Sequence, residues 1–277
     1  MLTSTPAPEN AAFRSDEHNS PKPYLSQLVD SQLEIAAMTH RGGRKENQDR
    51  YLVDTEHDLL MVADGVGGLR QGGLAAELAC QSIQVDVAQG LALDRAVSRS
   101  SSAIAKEANL RGVVGGMGST VVAVAWSGPR FRLVWVGDSS ARGYWADCCY
   151  RLTRDHTETA EWMTHGIQTE ASALQPRKHV LTQALGITAA GELRPGRNEG
   201  VLRQGEWLML ASDGVTNALT ADEIVAVLSA APSAETAAET LMQRTLGSHP
   251  TDNATFIIAR WHGSGAEAVD LPRVYPE

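Results

Sequence analysis

Leu59-Leu60-Met61-Val62-Ala63-Asp64-Gly65 is an apolar run that stops abruptly on a carboxylate and a glycine. The run is too short for a core helix and is bounded by turn residues, so it reads as a buried strand. The same punctuation recurs along the chain. Asp138 follows Leu133-Val134-Trp135-Val136-Gly137, and Asp213 follows Trp207–Ser212 and precedes Gly214. Asp252, with Asn253 after it, comes just before Ala254–Ala259, and Asp49 comes just before Tyr51–Asp54. Carboxylates at the ends of apolar strands are carried by a sheet to its rim. Asp also serves as a turn residue that bonds its own backbone, which accounts for any one of these positions but poorly for all of them together. Gly65 and Gly214 let the backbone approach a ligand closely. Like charges gathered in a low-dielectric cleft repel unless something positive lies between them, and divalent cations meet that need. An all-oxygen donor set suits Mg2+ or Mn2+ rather than zinc, and no Cys or His falls at matching spacing. Two such ions about 4 Å apart bind a phosphoryl group and generate a hydroxide nucleophile. Arg44, shortly before Asp49, is the side chain best shaped for bidentate phosphate recognition, although an Arg beside an acid is commonly a plain surface pair.

Outward from these sites, strands are expected at 33–38, 51–54, 59–63, 119–126, 131–136, 207–211 and 255–261. Helices are expected at about 71–89, 94–110, 157–166, 221–230 and 233–246, the fourth opened by a Thr220/Glu223 capping box. Strands in consecutive groups followed by helix pairs indicate an α+β fold rather than strict βαβ alternation. Residues 1–30, rich in Pro, Ser, Asn and charge, read as a flexible tail, residues 31–262 as one catalytic domain, and residues 263–277 as a short second tail. The Gly116–Thr120 segment lacks the Lys-Ser/Thr of a phosphate-binding loop and reads as a turn entering a strand.

The 277 residues carry 24 Lys+Arg against 33 Asp+Glu, a net charge of −9 that argues against an electrostatic grip on nucleic acid or an anionic membrane. No apolar stretch approaches the roughly 20 residues of a membrane span, and the N-terminus lacks the apolar region of a secretory signal. The three cysteines, Cys80, Cys148 and Cys149, make neither a disulfide framework nor a zinc spacing. Cys80 is expected in a helix core and the adjacent pair in a strand. A cytoplasmic monomer is the expectation.

Six motifs in order complete the reading: Arg44-Lys45-Glu46-Asn47-Gln48-Asp49, Ala63-Asp64-Gly65-Val66-Gly67-Gly68, Gly116-Met117-Gly118-Ser119-Thr120, Val136–Arg142, Ala211-Ser212-Asp213-Gly214-Val215-Thr216, and Thr251-Asp252-Asn253-Ala254-Thr255. This series resembles the PPM (type 2C) family of metal-dependent serine/threonine protein phosphatases, most closely its bacterial branch, over about residues 32–261. The resemblance implies a four-layer α-β-β-α sandwich, two antiparallel sheets flanked by helix pairs, with a metal site at one rim. It implies that Asp64 bridges two Mn2+ or Mg2+ ions, that the Gly65 carbonyl binds one of them, and that Asp213 and Asp252 complete the ligation. Asp49 would act largely through water, Arg44 would hold the substrate phosphate, and Asp138 with Asp213 would hold a third ion. Residues 155–186 resemble a mobile flap that influences substrate access. The substrates implied are phosphoserine and phosphothreonine proteins, hydrolysed in one step without a phosphoenzyme, and the enzyme is expected to oppose a bacterial Ser/Thr kinase.

Two positions depart from the eukaryotic pattern. Gln48 stands where those members carry Glu, as bacterial sequences often do, and Val66 stands where they carry a His proposed as general acid. His156 and His179, flanking the flap region, are conceivable substitutes. The alternative is a catalytically silent binding module of the same fold, against which the presence of all five acids and Arg44 counts. A two-metal nuclease is disfavoured by the acidic surface.

Overall fold

A computed structural model describes residues 11–14, 24–28, 32–66, 71–164, 177, 180–189, 191–264, 272, 274 and 275. Its strands are β1 (Ala11–Arg14), β2 (Tyr24–Leu28), β3 (Leu33–His40), β4 (Asp49–Asp54), β5 (Leu59–Asp64), β6 (Val121–Ser127), β7 (Arg130–Val136), β8 (Ser140–Trp145), β9 (Cys148–Arg151), β10 (Gly196–Val201), β11 (Trp207–Ala211) and β12 (Ala254–Trp261). The helices are α1 (Gly72–Ala88), α2 (Leu93–Leu110), α3 (Glu158–Thr164), α4 (Asp213–Thr216), α5 (Ala221–Ala230) and α6 (Ala234–Gly247). The strands form two six-stranded sheets, ordered β1-β4-β5-β6-β7-β10 and β2-β3-β12-β11-β8-β9, with antiparallel pairing throughout.

The period-2 alternation of side chains sorts each strand between two cores. In β5, Leu60 and Val62 point between the sheets, while Leu59, Met61 and Ala63 point at α1 and α2. In β12, Ile257, Ala259 and Trp261 point between the sheets, while Phe256 and Ile258 meet α5 and α6. With both faces covered, these strands read as unbroken apolar runs, although alternation is the usual mark of antiparallel strands. The four-layer α-β-β-α expectation holds, with α1/α2 and α5/α6 as the outer layers. Helix α3 buries none of its residues and belongs to neither layer.

The N-terminal expectation needs correction. Two segments inside residues 1–30 are strands: β1 pairs with β4 from Ala11↔Asp54 to Arg14↔Tyr51, and β2 pairs with β3 from Tyr24↔Ala37 to Leu28↔Leu33. An edge strand is held by main-chain hydrogen bonds to one neighbour and needs no apolar period of its own, which is why composition misses it. Residues 263–277 are likewise not all tail. The Tyr275 N–H donates to the Arg151 carbonyl at 2.9 Å, and the Tyr275 ring meets Trp135 edge-on at 6.0 Å. The other residues of 1–30 and most of 265–277 lie outside the described residues. Strands β8 and β10 were not anticipated. Cys80 is fully buried, and Cys148 and Cys149 lie in β9 as expected. The α5 capping box is present, with the Glu223 N–H donating to Thr220 Oγ1 and the Thr220 N–H to Glu223 Oε2. Among the described residues no helix is long and apolar enough to cross a membrane.

Leu60 is 1% exposed and sits between the sheets. Leu60→Ala should cost about 2–5 kcal/mol of unfolding free energy, read as a lowered midpoint in urea denaturation.

Candidate active site

The rim where β4, β5, β11 and β12 meet is where the acids converge. Asp49 opens β4 and Asp64 closes β5, and the two are register partners across the ladder. Asp213 is the first residue of α4, directly after β11, and Asp252 lies two residues before β12. Arg44, Asp64, Gly65, Asp138, Asp213 and Asp252 line one open cleft of about 1180 Å3. Asp49 does not line it but lies fully buried.

Hydroxyls and amides next to the acids hold the rim together. Ser212 Oγ reaches from β11 in one sheet to donate to Asp49 Oδ2 in the other at 2.8 Å, and it accepts the Thr255 N–H at 3.0 Å. Asn253 Oδ1 accepts the Gln48 N–H at 2.8 Å, while Asn253 Nδ2 donates to the carbonyls of Arg41 at 2.8 Å and Glu46 at 3.0 Å. One amide thus fastens the whole Arg44 loop to β12. Thr120 Oγ1 accepts the Asp64 N–H at 3.1 Å and pairs with Ser139 Oγ at 2.7 Å, linking the acid of β5 to the loop carrying Asp138. Asn217 Nδ2 donates to Asp213 Oδ2 at 3.2 Å. Of these positioning residues only Asn253 was remarked on in the sequence, for its place after Asp252, yet each lies within four residues of a motif acid or inside a motif, and that adjacency was the available signal.

Gly65 and Gly214 line the cleft and also admit close backbone crossings. A Cβ at Gly65 would stand 2.3 Å from the Gly72 carbonyl group, and one at Gly214 would stand 1.8 Å from the Asn253 carbonyl oxygen. Each glycine is the point where another backbone crosses, so the Asp-Gly pairs are fixed by chain packing before any ligand arrives.

Crowding perturbs the carboxyls. Burial, and then the charges of Asp49, Asp213, Asp138 and Asp252, push Asp64 well above the usual carboxylate range. Burial pushes Asp49 up to about 6 against the opposing hydrogen bond from Ser212. Burial, with Asp213 and Asp155, pushes Asp138 up to about 7. Asp49 Oδ1 is buried with no hydrogen-bond partner among the described residues. Arg44 Nη2 donates to Asp252 Oδ2 at 2.6 Å, a pair about half exposed that raises the guanidinium pKa.

A donor set made only of oxygens, mutually repelling, with one buried carboxylate oxygen unmatched, fits hard divalent cations. Among the described residues no three His, Cys, Asp or Glu side chains close a metal cage by themselves. Such an open arrangement suits an ion that keeps several waters and takes only one or two carboxylates.

His156 is partly buried and engaged by its neighbours. Its Nδ1 accepts the Gly137 N–H at 3.2 Å, its ring stacks on Trp135 at 6.3 Å, and burial pushes its pKa down to about 4. His179 lies outside the described residues. Of the flap region 155–186, the described parts include α3, held through Arg177 Nη2 to Glu158 Oε1 at 2.6 Å, and Leu181, which lines the cleft and bridges to Thr157.

Asp49, Asp64 and Asp138 bind protons more tightly in the folded chain than unfolded carboxyls do, which titrate at about 3.9. The folded state therefore carries extra protons between about pH 4 and pH 7, and stability falls as pH rises through that window. In chelator, Tm should drop between about pH 5 and pH 7.5, and Mn2+ should reverse the drop at the higher pH. Glu206, which burial pushes up to about 7, adds a slope of the same sign but lies outside the cleft, so it should not respond to Mn2+. Calorimetry reads both effects, and a Tm that climbs with pH in chelator contradicts the carboxylate crowding.

Comparison with known proteins gives a consistent assignment. Residues 38–248 match the family described as protein phosphatase 2C. The chain is 30% identical over 82% of its length to the serine/threonine protein phosphatase PstP of Mycobacterium tuberculosis, spanning 45% of that relative's own length. It is 26% identical over 85% of its length to the protein phosphatase PhpP of Streptococcus pneumoniae, covering all of that relative. Among solved structures it is similar to the catalytic domain of PstP in complex with two manganese ions, with TM-score 0.71 and 27% identity, covering 83% of this chain and 99% of that one. With the family match spanning most of the chain and the fold and rim of acids in agreement, the chain belongs to the protein phosphatase 2C family.

Proposed function

We propose that this chain is a Mn2+- or Mg2+-dependent protein phosphatase that hydrolyses phosphoserine and phosphothreonine in proteins and opposes a Ser/Thr kinase. The observation that carries the reading is the convergence of Asp64, Asp138, Asp213 and Asp252 from separate strands and loops into one cleft with Arg44 among its lining residues. In this reading Asp64, Gly65, Asp213 and Asp252 hold two ions, with Asp49 acting through water and Asp138 with Asp213 holding a third. Once bound, such ions supply Lewis acidity toward phosphate oxygens and lower the pKa of water. The catalytic unit spans residues 31–262 with a flap at 155–186, and β1 and β2 extend its sheet edges. The net charge of −9 and three free cysteines support action as a monomer in the cytoplasm.

The residues divide the work. Arg44, with its exposed guanidinium, binds the phosphate oxygens, and Asp252 keeps it aimed at the cleft. Ser212 orients Asp49 through Oδ2, leaving Oδ1 to accept a proton from water. Among the described residues, Cys80 is buried with its thiol pushed up to about 12, and Ser119 Oγ and Ser139 Oγ are engaged in hydrogen bonds, which supports direct attack by water without a phosphoenzyme. A catalytically silent module would be expected to have lost part of this set, and all of it is present.

Asp64→Asn and Asp213→Asn should abolish turnover of p-nitrophenyl phosphate and of a phosphoserine peptide with Mn2+ present, because an amide cannot balance cationic charge. Near-normal activity in Asp64→Asn would refute the assignment. Arg44→Ala should retain the chemistry but lose about 2–4 kcal/mol in kcat/KM, the range for a charged hydrogen bond to a developing oxyanion.

A further inference from the structure

Splitting a phosphoserine or phosphothreonine ester releases an alkoxide, a poor leaving group that needs a proton as the bond breaks. Of the two histidines flanking the flap, His156 has its Nδ1 engaged by the Gly137 N–H and His179 lies outside the described residues, and Val66 in the cleft carries no proton to give. A different histidine lines the same cleft. His249 lies in the turn between α6 and β12, exposed, three residues before Asp252. Its loop is tied directly to the phosphate-binding loop, the Gly43 N–H donating to the Pro250 carbonyl at 2.9 Å, one residue from Arg44.

Its place at the cleft is fixed by the end of the helix. Its backbone is left-handed at φ 55, a common cap conformation just past the C-terminal end of α6, and its N–H donates to the Leu246 carbonyl at 3.0 Å. Its Nδ1 lies 3.3 Å from the Leu246 carbonyl, an acceptor that keeps the proton on Nδ1 and leaves Nε2 as the free end of the ring. The charged groups sharing the cleft with it are Arg44, Lys45 and Glu46 from the loop after β3, Asp64, Asp138, Asp213 and Asp252.

Resting on the phosphatase reading above, we propose that His249 is the general acid that protonates the leaving serine or threonine oxygen. A water oxygen bonds to phosphorus, the ester P–O bond breaks, its electron pair stays on the side-chain oxygen, and Nε2–H of the imidazolium transfers to that oxygen. The proton lost by the attacking water passes to a carboxylate and then to solvent, from which the imidazole is reprotonated. The products are the free hydroxyl and inorganic phosphate.

The test compares His249→Asn and His249→Gly, both tolerant of the left-handed backbone, with wild type on p-nitrophenyl phosphate, phenyl phosphate and a phosphoserine peptide in Mn2+. Nitrophenolate leaves without a proton, whereas phenolate and alkoxide benefit from one. Both variants should lose at least tenfold more kcat on phenyl phosphate and the peptide than on p-nitrophenyl phosphate, and added imidazole should restore part of the lost rate in His249→Gly. Equal losses on all three substrates, or none, overturn the assignment of His249 while leaving the phosphatase reading intact. A wild-type protein inactive on all three with Mn2+ overturns the phosphatase reading itself.

Discussion

The structure is organised around an electrostatic conflict. Carboxylates drawn from β4, β5, the loop after β7, α4 and the loop before β12 are brought close enough that several bind protons far above their ordinary range. Folding alone would not favour this, because burial of each charge is costly and the neighbouring charges add to the cost. The hydrophobic contact of two sheets, each covered by a helix pair, drives the assembly, and the acids are carried to the rim as passengers of that packing. The conflict is eased in part by positive charge, that of Arg44 on Asp252.

What keeps the acids from splaying apart is a layer of small polar groups. The Ser212 hydroxyl crosses between the sheets to Asp49, the Asn253 amide pins the Arg44 loop, and the Thr120–Ser139 pair joins the strand of Asp64 to the turn of Asp138. Each is short, with few rotamers to lose, and each is buried at the contact it makes. Thr39, Thr255 and Asn47 extend the same network beneath the rim, with Thr39 Oγ1 2.6 Å from Thr255 Oγ1 and 2.8 Å from Asn47 Nδ2. A cleft built on such contacts holds its geometry against the repulsion it contains.

The central strands were legible in sequence because both of their faces are buried: Leu59–Ala63 and Trp207–Ala211 are bounded almost as the apolar runs suggest. The candidate acids were legible because each lies at one end of such a run, Asp64, Asp138 and Asp213 after it and Asp49 and Asp252 before it. The edges were not. β1, β2 and β10 are held by one neighbour each, and their composition carries no period. Asp49 was read as a site residue from its place before a strand, but its burial beneath the cleft and its bond to Ser212, 163 positions away, were not legible. His249 escaped notice for a similar reason. It has no apolar run or acid beside it, and only the pairing of its loop with that of Arg44 brings it to the cleft.

The pairing of Arg44 with Asp252 joins residues 208 positions apart, and the contact of Ser212 with Asp49 spans 163. Contacts so remote along the chain carry a large loop-closure cost and slow folding. A nascent polypeptide emerging from the ribosome therefore cannot assemble this rim of acids until the segment bearing Asp252 has been made.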